Sequence, residues 1–548
     1  MVHLKKLLFI LFPNLRLVQV AVKSTKSSMR FPAKLATAAV CVLAFDVLVL
    51  FVGVPKLIKS QIKKMVNLKP GVELRDMFIT VPFPLNFNVY IFSVLNPEEV
   101  QSGAKPRLKE IGPFCYEEWK TKINVQDFEG DDTVAYDPVD TFFKATGPKC
   151  VNGDTEVTVP HPMILGLVNT VLRQKPGALT LANKAIKSIW SDPTSMFITV
   201  KARELLFDGI IINCGVSDFA GKAICTNLRA EPSLKAINEE ELAFSLLGPK
   251  NATPGKRIRA FRGIQDFHHV GKIVTFDGKS QMEVWNSSKC DAIIGTDGTI
   301  FPPLGKKEEA IWSFAPDICR SLPAVFEKKT KYDQIPVGSF TASLGDASKN
   351  PDEKCFCTNP DTCLKKGLMD LYKCTKIPLY ASLPHFYDSD ASYVNGVRGL
   401  KPVAEKHEIR ILFETMTGSP LHARKRLQFS MPLEPNAKVD LFHNFTTTVF
   451  PLFWIEEGVD LNKTYTKPIK NLFMVKKAVG AIKVIFLIGS LAALGAAGYL
   501  YYTTDNSIIR TTIQKVRPDE NGSANNINTI LNGNQLEGRL NESFDHKY

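Results

Sequence analysis

Acidic residues are missing from the first 34 positions, which carry seven Lys or Arg and no Asp or Glu. More than half of the formal charge of +13 therefore sits in one N-terminal stretch. That distribution suits a membrane-proximal basic segment better than a nucleic-acid face. A signal-peptide reading of the first apolar run also fails. The apolar run 7–12 is too short to span a bilayer, and no small-residue cleavage site follows it. No internal repeat occurs, and low complexity is confined to an Asn-rich tail near 521–534. Catalytic signatures are absent or broken. There is no G-x-S-x-G and hence no nucleophile elbow. The stretch GPKNATPGKR at 248–257 has the wrong gap for a phosphate loop, and Arg257 stands where Ser or Thr must hold magnesium. His268 and His269 are adjacent, so they cannot share a helix face as H-E-x-x-H does, and read as loop or strand histidines. The remaining histidines are scattered. The expectation is a non-enzyme without cofactor or metal.

Cysteine is what the chain does have. Of eleven, Cys355, Cys357, Cys363 and Cys374 share one stretch, and Cys290 and Cys319 lie upstream within cross-linking reach. The spacing is not the paired C-x2-C of a structural zinc site. Four N-x-S/T sequons, at Asn251, Asn286, Asn444 and Asn462, fall in the same segment as ten of the cysteines. Clustered thiols beside sequons fit an oxidising, extracellular or lumenal compartment.

Hydrophobic residues make up 45% of the 548, so most of the chain is globular. Two runs differ. LATAAVCVLAFDVLVLFVGV at 35–54 has the length of a bilayer core, about 30 Å. Asp46 near its middle costs roughly 2.5–3.5 kcal/mol, which the surrounding Val, Leu and Phe outweigh. It reads equally as a partner-facing contact or as a tolerated acid. The second run is 482–502, with Lys483 at its start, Tyr499, Tyr501 and Tyr502 at its end, and Gly489, Ala493 and Ala497 as a small-residue stripe. Charge does not orient these spans, because both lumenal flanks are also basic. Cysteines and sequons do. The expected organisation is a cytoplasmic segment 1–34, a span 35–54, an ectodomain 55–481, a span 482–502 and a cytoplasmic tail 503–548.

Within the ectodomain, period-2 stretches dominate. HEIRILFE at 407–414 places His407, Ile409, Ile411 and Phe413 on one face, and 272–276, 340–344 and 426–431 read as further strands. The clearest helical region is 163–190. Ile164, Leu167, Val168 and Val171 form one apolar stripe, and Leu179, Ala182, Ile186 and Trp190 a second after the break at Pro176-Gly177. Lys184 and Lys187 share the opposite, polar face.

The order of two terminal spans, glycosylated β-rich loop and late cysteine cluster resembles the class B scavenger receptor family. Local matches run along nearly the whole ectodomain: LNPEEV at 95–100, IGPFCYEEWK at 111–120, CDAIIGTDGTIFPP at 290–303, DICRSL at 317–322, LPHF at 383–386 and KRLQ at 425–428. Within that family, AKPRL at 104–108, KGLMDL at 366–371 and PLFWIEEGVDLNKT at 451–464 are most similar to the insect sensory neuron membrane proteins.

The resemblance implies a mostly β, α+β ectodomain: an irregular antiparallel barrel with a helical bundle at its apex and a lipid-wide tunnel. It implies the disulfides Cys290–Cys355, Cys319–Cys374 and Cys357–Cys363. It assigns no partner to Cys115, Cys150, Cys214 or Cys225, although Cys214 and Cys225 are close enough in sequence to pair. Cys41 lies in the first span and should stay reduced. The family starts only a few residues before its first span, which makes Met29 the expected start and 1–28 an extension.

The function it implies is capture of hydrophobic odorants or pheromones and their delivery to an odorant receptor and co-receptor, with a soluble pheromone-binding protein as a further partner. Lys184 and Lys187 fall where fatty-acid-binding members carry lysines. The expected location is the plasma membrane of sensory cilia, with both termini cytoplasmic. The rival readings are a general scavenger or fatty-acid uptake receptor, a lysosomal delivery receptor and an ectoenzyme.

Overall fold

The computed structural model describes residues 31–305, 309–359 and 361–515. The expectations for 1–28 and for the Asn-rich tail lie outside them. The chain divides into two compact units, 57–475 and the pairing of the stretch up to Lys56 with the stretch from Lys476.

Long strands of β-branched and aromatic residues build the larger unit, because such side chains pack well on a pleated surface. Among the described residues they form a thirteen-stranded sheet. Its main path runs Ile273–Phe276, Ile258–Phe261, Thr133–Lys144, Leu108–Phe128, Leu85–Val94, Thr448–Asp460, Ser419–Leu433, Ile409–Glu414, Ile335–Ala342, Arg320–Tyr332 and Ile311–Ala315. Every pairing along this path is antiparallel. The sheet is not a closed barrel, since the edge strands Ile273–Phe276 and Ile311–Ala315 do not pair with each other.

Gly295 and Thr296 bridge those two edges. Ile273 N–H donates to the Gly295 carbonyl (2.9 Å), and Phe314 N–H donates to the Thr296 carbonyl (2.9 Å). Only glycine serves at 295. Its φ is +93°, and a Cβ there would lie 2.1 Å from the Trp312 carbonyl oxygen. Gly295→Ala is therefore expected to destabilise this unit by roughly 1–3 kcal/mol, read as a lowered melting temperature. An unchanged melt would show that the bridge carries no stability.

Two helices pack beside the sheet, and a third packs on the second of them. Pro162–Gln174 begins with Pro162 at its first turn and His161 as its cap, and Lys175 before Pro176 ends it. Leu179–Ile189 follows and buries Leu179, Ala182 and Ile186, as its periodicity predicts. Phe219–Arg229 is capped by the Asp218 carboxylate on Gly221 N–H (2.9 Å). Ala185, Ile189, Ala220, Cys225 and Leu228 make one shared apolar cluster between the last two.

His407 departs from the strand reading. The strand starts at Ile409, and His407 closes a helical turn, Ala404–His407. Its Nδ1 accepts from Val403 N–H (2.9 Å), a local bond that competes with the ladder. His268 and His269 sit in a short 3-10 turn capped by Asp266.

Five disulfides lie in the larger unit: Cys290–Cys355, Cys319–Cys374, Cys357–Cys363, Cys214–Cys225 and Cys115–Cys150. The first three are the pairs that the resemblance implies, and the fourth is the one that proximity suggests. Nothing in sequence singles out Cys115–Cys150; strand Leu108–Phe128 brings Cys115 to the loop that carries Cys150. Cys41 is free.

The smaller unit holds most of two helices long and apolar enough to cross a membrane, Phe31–Met65 and Lys463–Thr504. The first takes a π-helical path from Asp46 to Gly53. Asp46 does not face outward. Its side chain is fully covered by protein, and neither carboxylate oxygen has a hydrogen-bond partner. Ser490 and Ala497 are buried on the second helix, while Gly489 of the small-residue stripe is exposed. The Lys483 ammonium lies 4.9 Å from the Phe51 ring centroid, a cation–π contact at the end of the span.

Candidate functional site

Lys184 and Lys187 are both exposed on helix Leu179–Ile189, with the apolar stripe turned inward. Their situations differ. Lys187 Nζ lies 2.7 Å from Asp440 Oδ2. The hydrogen bond to Asp440 raises the Lys187 pKa, and Lys187, with Asn183, holds Asp440 below the usual carboxylate range. Lys184 makes no ion pair among the described residues. An arriving carboxylate would meet Lys184 directly but would have to displace Asp440 from Lys187. Sequence spacing shows two lysines on one face; it cannot show that a turn 250 residues later supplies one of them with a counter-ion.

Of the sequon asparagines, Asn286, Asn444 and Asn462 are exposed and Asn251 is half-buried. Asn251 Oδ1 accepts from Phe142 N–H (2.9 Å), so its side chain also pins a strand. Asn462 Oδ1 accepts from Thr464 N–H (2.9 Å) at the start of the long C-terminal helix.

One face of the sheet changes chemistry along its length. Phe87, Val89, Phe114, Phe142 and Phe453 pack as one apolar cluster. Continuing by alternate residues, Tyr116, Glu118 and Lys120 follow Phe114, and Ile455 and Glu457 follow Phe453. Lys120 Nζ thus meets Glu118 (2.7 Å), Asp140 (3.2 Å) and Glu457 (3.2 Å). Lys425 reaches Glu457, and Lys250 reaches Asp140 and Asp317. Burial opposes the charge on Lys120, but Glu457, Glu118 and Asp140 outweigh it and hold the ammonium well above its ordinary pKa. Burial, with Glu457 beside it, pushes Glu118 up to about 7. Its Oε2 is buried without a partner, as suits a neutral acid better than an anion. Burial also works against Glu457, yet Lys120 and Lys425 keep it well below the usual range.

A second cluster escaped the sequence reading, which took these histidines as scattered. His385, His407 and Glu110 converge, with their potential ligand atoms within 4.8 Å of one another. The two imidazoles stack at 4.3 Å between centroids. Lys401 N–H donates to His385 Nδ1 (3.0 Å) and Val403 N–H to His407 Nδ1 (2.9 Å). Each Nδ1 is therefore an acceptor, and each neutral ring carries its proton on Nε2. His385 Nε2 donates to Glu110 Oε2 (2.6 Å), which also accepts from Trp454 Nε1 (2.8 Å). Burial, helped by His385, pushes His407 down to about 3. A metal bound at these Nε2 atoms would have to displace their protons and the two backbone bonds. The arrangement is suited to clamping the segment 401–403 onto the sheet.

Comparisons with known proteins place the chain. The family model described as the CD36 family matches residues 36–501. Sensory neuron membrane protein 1 of Apis mellifera is 42% identical over 492 residues, covering 89% of this chain and 94% of the relative. The protein of the same name from Heliothis virescens is 41% identical over 508 residues (90% and 96%). That from Manduca sexta is 40% identical over 500 residues (89% and 94%).

Proposed function

This chain belongs to the CD36, or class B scavenger receptor, family, and from that premise we propose that it is a chemosensory receptor. It captures hydrophobic odorants or pheromones in an ectodomain tunnel and passes them to an odorant receptor and co-receptor in the same membrane. The observation that carries this reading is the likeness, over about nine-tenths of the chain, to proteins named for sensory neuron membranes. The physical need is solubility. Each buried CH2 is worth about 0.8 kcal/mol, so a chain of 12–18 carbons gives up roughly 10–14 kcal/mol on entering water. A covered conduit avoids that cost without any chemistry. Both termini are cytoplasmic in this reading, the disulfide-bonded unit faces outward, and a soluble pheromone-binding protein delivers the cargo.

The test is to express an odorant receptor and co-receptor with and without this chain, then compare pheromone responses. A lower threshold or faster onset with the chain is expected. Identical responses would overturn the proposal.

Lys184 and Lys187 are the proposed capture residues for charged heads. An ammonium beside an apolar groove can hold a carboxylate, whereas for alcohols, aldehydes and acetates it only donates hydrogen bonds, each worth about 0.5–1.5 kcal/mol. The double variant Lys184→Ala, Lys187→Ala is expected to weaken fatty-acid binding several-fold and pheromone responses less. Because Asp440 already holds Lys187, most of that loss should be reproduced by Lys184→Ala alone. Normal binding of both ligand classes by the double variant would reduce these lysines to a solvated face.

A further inference from the structure

A cavity of about 380 Å³ lies between the end of helix Pro162–Gln174 and the disulfide-bonded stretch 344–372. Neither Lys184 nor Lys187 lines it. Its apolar wall is made by Leu344, Phe356, Leu364 and Leu368, and two arginines, Arg173 and Arg320, face it. The volume is near the lower end of the range for small-ligand pockets, roughly 300–1,000 Å³.

The two arginines are unequally satisfied. Arg173 is paired: Nη1 lies 2.8 Å and 3.1 Å from the Asp370 oxygens, and Nη2 donates to Tyr380 Oη (3.0 Å). Arg320 is 7% exposed and short of acceptors. Its Nη1 donates to the Leu344 carbonyl (3.0 Å), and its nearest carboxylate, on Glu353, is 3.5 Å from Nη2. That Glu353 carboxylate is shared with Asp346 N–H (2.8 Å). Nε of Arg320 and the Thr358 hydroxyl have no acceptor, but both atoms are covered by neighbouring protein, which leaves the Nη groups as the part of the guanidinium that can meet a ligand. The guanidinium carbon lies 4.0 Å from the Phe356 ring centroid, which covers one face without supplying an acceptor. Burial lowers the pKa of Arg320, and Glu353 does not restore it. A buried cation held by one carbonyl and one long carboxylate contact, in a cavity with an apolar wall, is complementary to an anion carrying a hydrocarbon tail. Guanidinium N–H groups pair with carboxylates through charge-assisted bonds stronger than those to neutral oxygens.

We propose that this cavity is a second ligand site, taking a short amphiphile whose carboxylate is held by Arg320 and whose chain lies along Leu344, Phe356, Leu364 and Leu368. The site is independent of the sensory reading and of the capture lysines, and its size selects a medium-length chain over a long lipid.

The full-length protein in lipid nanodiscs tests this, with decanoate and decan-1-ol as probes in equilibrium dialysis and empty nanodiscs subtracted. Decanoate is expected to bind at least tenfold more tightly than decanol. Arg320→Gln should remove that preference. Ala347→Phe, which fills the cavity from a partly exposed wall position, should weaken decanoate at least tenfold. It carries the test if Arg320→Gln fails to fold. In the Lys184→Ala, Lys187→Ala background, which removes the proposed capture site, Arg320→Gln should still lower the remaining decanoate binding. Equal affinities for decanoate and decanol, or normal decanoate binding by a folded Ala347→Phe protein, would overturn the proposal.

Discussion

Replacing Cys319 with serine is expected to leave the protein misfolded and retained inside the cell, with immature glycans. The bond Cys319–Cys374 closes a separation of 55 residues, and Cys290–Cys355 one of 65. Each stabilises by about 4 kcal/mol in the chain-entropy model. The two loops overlap in sequence, so each constrains segments that the other also ties. A loss of that size is comparable with the whole stability of a typical domain, about 5–15 kcal/mol. The site adds to it. Cys319 is buried beside Cys290, Trp285 and Leu371, and its carbonyl accepts from Trp285 Nε1 (2.8 Å). Surface biotinylation and glycan-processing assays read the outcome. Wild-type surface levels with mature glycans would count decisively against a structural role for this bond.

The next largest effect is expected from Lys120→Met. It strands Glu118, Asp140 and Glu457 around an apolar side chain, and removing one member of a buried ionic group costs about 3–5 kcal/mol. Adding Glu118→Gln should recover part of this, because one stranded carboxylate is then gone.

Glu118→Gln alone is expected to act with pH. The folded pKa of Glu118, about 7, lies above its unfolded value of about 4.3. The folded state therefore keeps this proton longer than the unfolded one, and the group's contribution to stability is full below about pH 4.3 and falls as pH rises to about 7. Glutamine removes that fall. The variant should match the wild type near pH 5 and exceed it by about 1–3 kcal/mol at pH 8. Glu457 works the other way. Its folded pKa is depressed, so its contribution is present above the unfolded value and lost as pH falls through the acid range. Denaturant melts at pH 5 and pH 8 test the first statement, and melts carried from pH 5 down into the acid range test the second. A Glu118→Gln protein that is destabilised equally at both would refute the neutral-acid assignment, and a Lys120→Met cost under about 1 kcal/mol would refute the role of the cluster.

The sequence by itself determined the parts of this protein that repeat at short range. Two apolar runs predict two membrane-length helices, because length and hydropathy are local properties. The 3.6-residue stripes of 163–190 predict two helices and the break at Pro176-Gly177, and period-2 runs predict strands, because each pattern reports which face is buried. Motifs spread from 95 to 464 identify the family, because each is read from contiguous residues.

Only the tertiary structure decided what depends on residues far apart in the chain. Gly295 and Thr296 hydrogen-bond to both edge strands of the open sheet, a contact that no alternation encodes. Asp440 neutralises Lys187, Cys115 finds Cys150, and His385 stacks on His407 while bonding to Glu110. Lys120 gathers three carboxylates from three strands, and Arg320 comes to line a cavity without a full set of acceptors. Charge compensation and hydrogen-bond satisfaction are sums over neighbours in space. A linear pattern names the groups that must be satisfied, and folding chooses which partner satisfies each and which group is left without one.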